Sequence, residues 1–353
     1  MAIQATNDAD LVTSTLSELG RLKFTDLMSD YQRTVALKRL INKDKTTFDS
    51  GKSVSFNVMT GVGGSARFVG LGAIDVVDIT SNLTTGDVPW RHVTWNWAWD
   101  FREPLMNNSP AKIVDLIQTR RIGEFGSAII LFERYLWRVP ATTDDTSIYG
   151  IPYWVVKSNT AATLANNDGF NGTAPSGYTT VGGINPTTYP RWRNYATQYT
   201  IVSKDDLIRK MRRMAEKTDF MPLVDEVPEY NRGNDLGYYT NYAVKATMEE
   251  ILESSNENLG VDVASMENKV LFRRVPVEYI PELEQDTTNP VYQLNWGEFG
   301  AMGLKGAWMK ETAVPMVPGQ HTMSATHTDC TLNMFTRNRR RHGVIATDTT
   351  LPA

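Results

Sequence analysis

Cysteine is almost absent: Cys330 stands alone in 353 residues. One thiol cannot close an intrachain disulfide, and a Cys-rich zinc site is ruled out. This fits assembly in a reducing compartment. Long apolar runs are missing too. No uncharged apolar stretch approaches the ~20 residues needed to cross a bilayer. The opening MAIQATNDADLV has neither the basic residues nor the apolar run of a signal peptide. The chain therefore reads as soluble, made inside the cell and without a membrane partner, and the sequons at Asn82 and Asn171 read as chance. Positive charge is not in excess either: 36 Lys and Arg against 40 Asp and Glu give a formal net charge of −4. Proteins whose main task is coating nucleic acid are usually clearly basic, so that class is disfavoured, though a basic face on an acidic subunit is not.

Catalytic spacings are equally scarce. TGVGGSAR at 60–67 is glycine-rich but lacks the Gly-Lys-Ser/Thr of a phosphate loop, and no helix signal follows it. There is no Gly-x-Ser-x-Gly elbow. The histidines are His92, His321, His327 and His342; His321 and His327 are six apart in a strand-like region, not the i, i+4 spacing of a helical metal pair. A carboxylate pair assembled from distant residues is conceivable among 40 acids but has nothing in its favour. No catalytic residue, cofactor or metal is assigned, and the expectation is a non-enzyme.

What is present is a set of elements in search of partners. At this length the expectation is two subdomains, or one core with long excursions. Leu11, Val12, Leu16 and Leu19 share a helical face that Gly20 would stop, and Leu27, Met28, Tyr31, Val35 and Leu40 mark a second amphipathic run. From Ser53 to Phe101 the period becomes two. Val54, Phe56 and Val58 alternate with polar residues, and so do Val93, Trp95, Trp97, Trp99 and Phe101, with a Gly-rich stretch between. This predicts a long β-hairpin with an elaborated tip. Its aromatic ladder would be an interaction surface if exposed and ordinary core if covered, and a share of both is expected. Ser109 and Pro110 then open a helix whose apolar residues recur at threes and fours to Leu136, before Pro140 ends it. At 1.5 Å per residue this is a rod of roughly 40 Å.

Residues 141–202 are rich in Gly, Asn, Thr and Pro with short strand-like runs such as Tyr153 to Val156. Ser203 with Asp206 reads as a capping box before a helix to about Lys217, and a further helix runs from about Asn241 to Leu259. Strand signals return at Val270–Phe272, Val277–Ile280 and Val291–Trp296 and continue to the end. The order is that of an α+β protein. Two basic clusters stand out. Arg209, Lys210, Arg212 and Arg213 lie beside Asp205, Asp206 and Glu216 and read as a solvated, partly paired face. Arg337, Arg339, Arg340 and Arg341 fall within five residues between apolar runs. They suit either phosphates or the acids of a neighbouring subunit equally well.

Three segments, in order, resemble phage major capsid proteins of the HK97-like fold: Gly183 to Asn194 (GINPTTYPRWRN), Val270 to Val277 (VLFRRVPV) and Pro290 to Trp296 (PVYQLNW). The resemblance covers about residues 46 to 347. It implies an HK97-like layout: an N-terminal arm (1–45), an extended β-hairpin loop (46–105), the spine helix of a peripheral domain (106–140), an axial domain (141–295) and C-terminal strands returning to the periphery (296–353). It implies hexamers and pentamers of one chain closing an icosahedral head around double-stranded DNA, touched without sequence preference. Trp95, Trp97, Trp99 and Phe101 are candidate contacts between subunits, and Arg337, Arg339, Arg340 and Arg341 a candidate DNA-facing or intersubunit cluster. The partners implied are further copies, a portal, in some cases a decoration protein, and a separate scaffolding protein, since only about forty residues precede the hairpin. The place would be the virion, with assembly in the host bacterial cytoplasm. Some relatives lock the shell through a lysine on the extended loop; no lysine occurs between Lys52 and Lys112. An encapsulin-like cargo compartment would share the fold, and a β-rich hydrolytic or carbohydrate-active enzyme is the rival from another class.

Overall fold

A computed structural model describes residues 34–40, 47–61, 68–71, 83–103, 110–157, 169–219, 235–256, 270–314, 319 and 321–347. The first predicted helix, the start of the second, the Ser109 cap and most of the hairpin tip lie outside them.

The spine is α2 (Pro110–Leu136), 27 residues and about 40 Å long. Ala128, Phe132, Leu136 and the following Trp137 bury one stripe of it. Against that stripe lie a short helix, α1 (Val35–Leu40), and a sheet of β1 (Thr47–Asp49), β11 (Phe299–Leu304), β12 (Lys310–Val314), β13 (Met323–Thr336) and β4 (Arg91–Asp100). β13 is the long member. β4 runs antiparallel along one side of it, from Met323 opposite Asp100 to Leu332 opposite Arg91. β12 and then β11 occupy the other side.

The second sheet has the order β5-β6-β14-β10-β7-β9-β8. Its strands are β5 (Gly169–Gly172), β6 (Asn194–Tyr199), β7 (Leu236–Thr240), β8 (Leu271–Phe272), β9 (Val275–Tyr279), β10 (Val291–Asn295) and β14 (Gly343–Thr347). All five residues of β10 and of β14 are buried, because both faces of the sheet are covered. Tyr195, Tyr238, Val291 and Ile345 face α4 (Leu207–Thr218) and α5 (Tyr242–Asn256), which present Leu207, Met211, Met214, Val244 and Met248. Ala196, Tyr239, Tyr292, Leu294 and Val344 turn the other way. They join one continuous core with Trp137, α3 (Ile151–Trp154), Trp296 and the first sheet. The two sheets are therefore not independent folding units.

Several expectations change. The hairpin consists of β2 (Ser53–Met59) and β3 (Leu83–Pro89), with Ser53 opposite Pro89 and Met59 opposite Leu83. The Trp-rich strand is not its second arm. After Trp90 the chain leaves the ribbon and joins β13, because the aromatic face of β4 finds its cover on α2. The C-terminal strands also divide: β11 to β13 return to the spine, while β14 is inserted between β6 and β10 of the second sheet. Both sides of Val344 and Ile345 are apolar, and only a central strand buries both. Tyr153 to Val156 is not a strand, since Pro152 fixes a helical φ and the run begins as one helical turn. The capping box is half present. Ser203 Oγ accepts from the Asp206 amide at 3.1 Å, but the Asp206 carboxylate reaches back to the Thr200 and Ile201 amides instead.

Candidate assembly surfaces

The hairpin is rooted in the subunit and apolar beyond it. At its base Val54, Phe56 and Val88 are buried; the Phe56 ring lies 6.1 Å from Trp192 and 5.9 Å from Phe335, and Gly182 accepts from the Asp87 amide at 2.9 Å. Gly86 is required here, since a Cβ would stand 2.5 Å from the Phe56 ring. At the far end Met59 and Leu83 are 56% and 68% exposed, and Phe68, Val69 and Leu71 are exposed beyond them. A two-stranded ribbon is marginal in water. One with an apolar far end has a surface that calls for a partner.

β4 splits its ladder. Trp95 is core, packed edge-on against Phe125 at 5.6 Å and Phe132 at 6.5 Å of α2. Trp97 and Trp99 are half-buried, and Phe101 is 39% exposed with its ring 5.1 Å from Trp99. The ladder is thus interior at one end and surface at the other. On α2 itself Ile122, Ile129 and Leu131 are exposed as well.

The arm is pinned by a group that the sequence pattern did not single out. Glu133 of α2, 2% exposed, accepts from the Ala36 amide at 3.1 Å, the Leu37 amide at 2.9 Å and Trp137 Nε1 at 3.0 Å. A carboxylate from another helix thereby satisfies the free donors at the start of α1. Arg39 continues the tie to Asp235 at 3.1 Å. The signal was available: Glu133 sits inside the buried stripe of Phe132, Leu136 and Trp137. Beneath α1 is a void of about 10 Å³ lined by Leu37, Leu40, Phe132, Leu136 and Met334. It is apolar and about one water in size, so it takes no substrate.

The structure divides the Arg337–Arg341 cluster. Arg339 is fully buried and donates to the carbonyls of Trp154 and Trp192 at 2.7 Å, to that of Thr173 at 2.9 Å and to Asn194 Oδ1 at 3.0 Å. Burial lowers the guanidinium to about 9, which leaves it charged at neutral pH. Arg341 is buried on Glu298 at 2.8 Å. These two can face neither DNA nor a neighbour. Arg340 lies over the Phe170 ring and Arg337 over Phe335, both half-buried. Next after Arg341, His342 accepts from the Asn295 amide on Nδ1 at 3.1 Å, so its proton is on Nε2, 3.0 Å from Thr336 Oγ1. Burial, then the two arginines, push it down to about 3. The segment of Trp192 and Asn194 is thus the lining of an arginine clamp and not an exposed site. Among the described residues no group of three His, Cys, Asp or Glu is placed to hold a metal, and no helix is long and apolar enough to cross a membrane.

No protein-family model matches the sequence, and no curated protein matches it. Solved structures match nearly end to end. The capsid asymmetric unit of Cyanophage A-1(L) superposes with a TM-score of 0.59 at 16% identity, covering 96% of this chain and 99% of that one. The chain has the HK97-like capsid fold. Two further structures agree. The capsid of a native GTA particle gives 0.54 at 10% identity over 96% and 98% of the two chains. A structure of Microbacterium phage Oxtober96 gives 0.51 at 13% over 94% and 97%. In the terms of this fold, α2 is the spine, the β2–β3 ribbon the extended loop, and the seven-stranded sheet with α4 and α5 the axial layer.

Proposed function

We propose that this chain is the major capsid protein of a tailed bacteriophage. It assembles into hexamers and pentamers that close an icosahedral head around double-stranded DNA, and it has no catalytic role. The observation that carries the reading is the hairpin. Its root is core, its far end is apolar and exposed, and the whole chain otherwise follows the capsid fold from end to end. An element that cannot be satisfied within one subunit is satisfied by the next copy, and a repeated heterologous contact of this kind generates closed rings. The exposed half of the ladder, Trp97, Trp99 and Phe101, belongs to the same contact surface. Assembly in the host cytoplasm with a separate scaffolding protein, a portal and in some cases a decoration protein completes the reading.

The test is electron microscopy of the purified chain, alone and co-expressed with a scaffolding protein of the same phage. Closed shells or rings are expected, and after expression in the infected host they should contain DNA. A protein cargo in place of DNA would make it an encapsulin-like compartment. A chain that stays monomeric with its scaffold present would sink the reading.

A further inference from the structure

The strongest unexplained feature of the molecule is a turn built from the wrong residues. β8 and β9 are joined by two residues only, with Phe272 opposite Val275. Those two residues are Arg273 and Arg274, at φ +49° and +68°. Two-residue hairpins with both φ positive take Asn-Gly, Asp-Gly or Gly-Gly, because a Cβ crowds the left-handed backbone. This chain follows that preference at Val181–Ile184, where Gly182 and Gly183 hold φ +57° and +79°. At 273–274 it places two exposed guanidinium groups where turn chemistry disfavours them. Strain held at a surface turn points to what the side chains do there.

The turn has a charged neighbour. Arg273 bridges to Glu216 near the end of α4. From there α4 runs back across the sheet: Thr218 Oγ1 accepts from Gln293 Nε2 of β10 at 2.7 Å, and Lys210 Nζ donates to the Gln198 carbonyl of β6 at 2.6 Å. Leu207, Met211 and Met214 face the sheet, so Arg209, Arg212, Arg213 and Lys217 form the outward face. The acids on this surface are Asp205, paired with Arg209 at 3.1 Å; Asp206, paired with Lys210; Glu216, paired with Arg273; and Asp219 beyond the helix end. Among the described residues Arg212, Lys217 and Arg274 have no ion pair. The exposed apolar neighbours, Ile201 and Leu271, stand at the two ends.

We propose that the outward face of α4 together with the Arg273–Arg274 turn is a binding surface for the phosphate backbone of duplex nucleic acid. The proposal rests on the capsid reading for the identity of the polyanion. A ridge of long cations without an aromatic anchor suits phosphates, whereas protein interfaces centre on buried aromatics. On a chain with net charge −4, the attraction must be local to such a face.

The test uses the full chain and a short labelled duplex of random sequence, with binding read by anisotropy from about 50 to 200 mM salt. The double variant Arg273→Asn, Arg274→Gly restores the favoured turn chemistry while removing both charges. Its thermal midpoint should rise by roughly 2 °C. Duplex affinity should fall about tenfold for each phosphate that is no longer neutralised, and the salt slope should shrink by about 0.9 for each. Arg212→Glu should weaken binding further. Lys305→Asn with Lys310→Asn, which removes two exposed charges from the other sheet, should change little. The proposal fails if the wild type does not bind, or if the turn and α4 variants bind duplex as well as wild type. It also fails if they keep duplex affinity but lose a polyglutamate peptide, which would make the partner an acidic protein. Shell formation by the same variants keeps the two readings apart. Shells with unchanged duplex affinity remove only this surface. Charge-dependent binding without shells, even with scaffold present, removes the capsid reading instead.

Discussion

At the scale of single residues, arginine is used in two opposite ways within five positions. Among the described residues Arg339 has no carboxylate partner; the backbone carbonyls of Trp154, Trp192 and Thr173 and the amide oxygen of Asn194 surround it. Removing the cation strands several buried acceptors at once, each costing about 1–3 kcal/mol. Arg339→Met should therefore lower the unfolding free energy of the soluble subunit by more than ~3 kcal/mol in a denaturant titration, whereas Arg340→Ala should cost under ~1 kcal/mol. None of this could be read from the sequence. Four arginines within five residues look the same whether they face solvent or a cage built from Trp154, Trp192 and Asn194. His342 adds a pH dependence with a definite sign. Its folded value is about 3 against about 6.5 unfolded, so the unfolded chain binds the extra proton. Stability is fully present above pH 6.5 and is lost as pH falls toward 3, on the order of 4 kcal/mol. Measured unfolding free energy should fall along that window. In His342→Asn the acid slope should be flatter by about one proton, whatever the variant's absolute stability.

At the scale of elements, period and caps gave most of what could be read. The spine helix, α4, α5, β8 to β10 and the root of the hairpin all follow from apolar spacing and local stop signals. Pairing did not follow, because it depends on which distant surface covers an apolar face. β4 reads as a hairpin arm by its alternation, yet Phe125 and Phe132 of the spine decide its place. The ladder therefore divides in its consequences. Trp95→Ala should destabilise the lone subunit by about 3–5 kcal/mol. Trp97→Ala should leave the thermal midpoint nearly intact and reduce the shell fraction in size-exclusion chromatography. If Trp97→Ala melted the subunit and spared assembly, the outer ladder would be core after all. The arm obeys the same logic. Glutamine at position 133 keeps only one acceptor oxygen for three donors, so Glu133→Gln should accelerate hydrogen exchange at Ala36 and Leu37 before any global unfolding is seen.

At the scale of the whole molecule, the α+β class and the spine-and-hairpin plan were within reach of the sequence. The exchange of β14 into the second sheet was not, since a buried strand looks alike in either sheet. Among the described residues two apolar clusters meet at the second sheet, and the ribbon has a far end that neither of them covers. That asymmetry makes a sharp prediction. Replacing residues 60–82 by a two-residue Asn-Gly turn would join β2 to β3 directly and remove the exposed Phe68, Val69 and Leu71. Val54, Phe56 and Val88 would stay packed at the root, with Phe56 against Trp192 and Phe335, so circular dichroism and the thermal midpoint should match the wild type within experimental scatter. Shells should not form. A truncated chain that unfolded would show the far end to be part of the subunit's own stability, and one that still closed shells would move the principal interface between copies to the ladder and the spine.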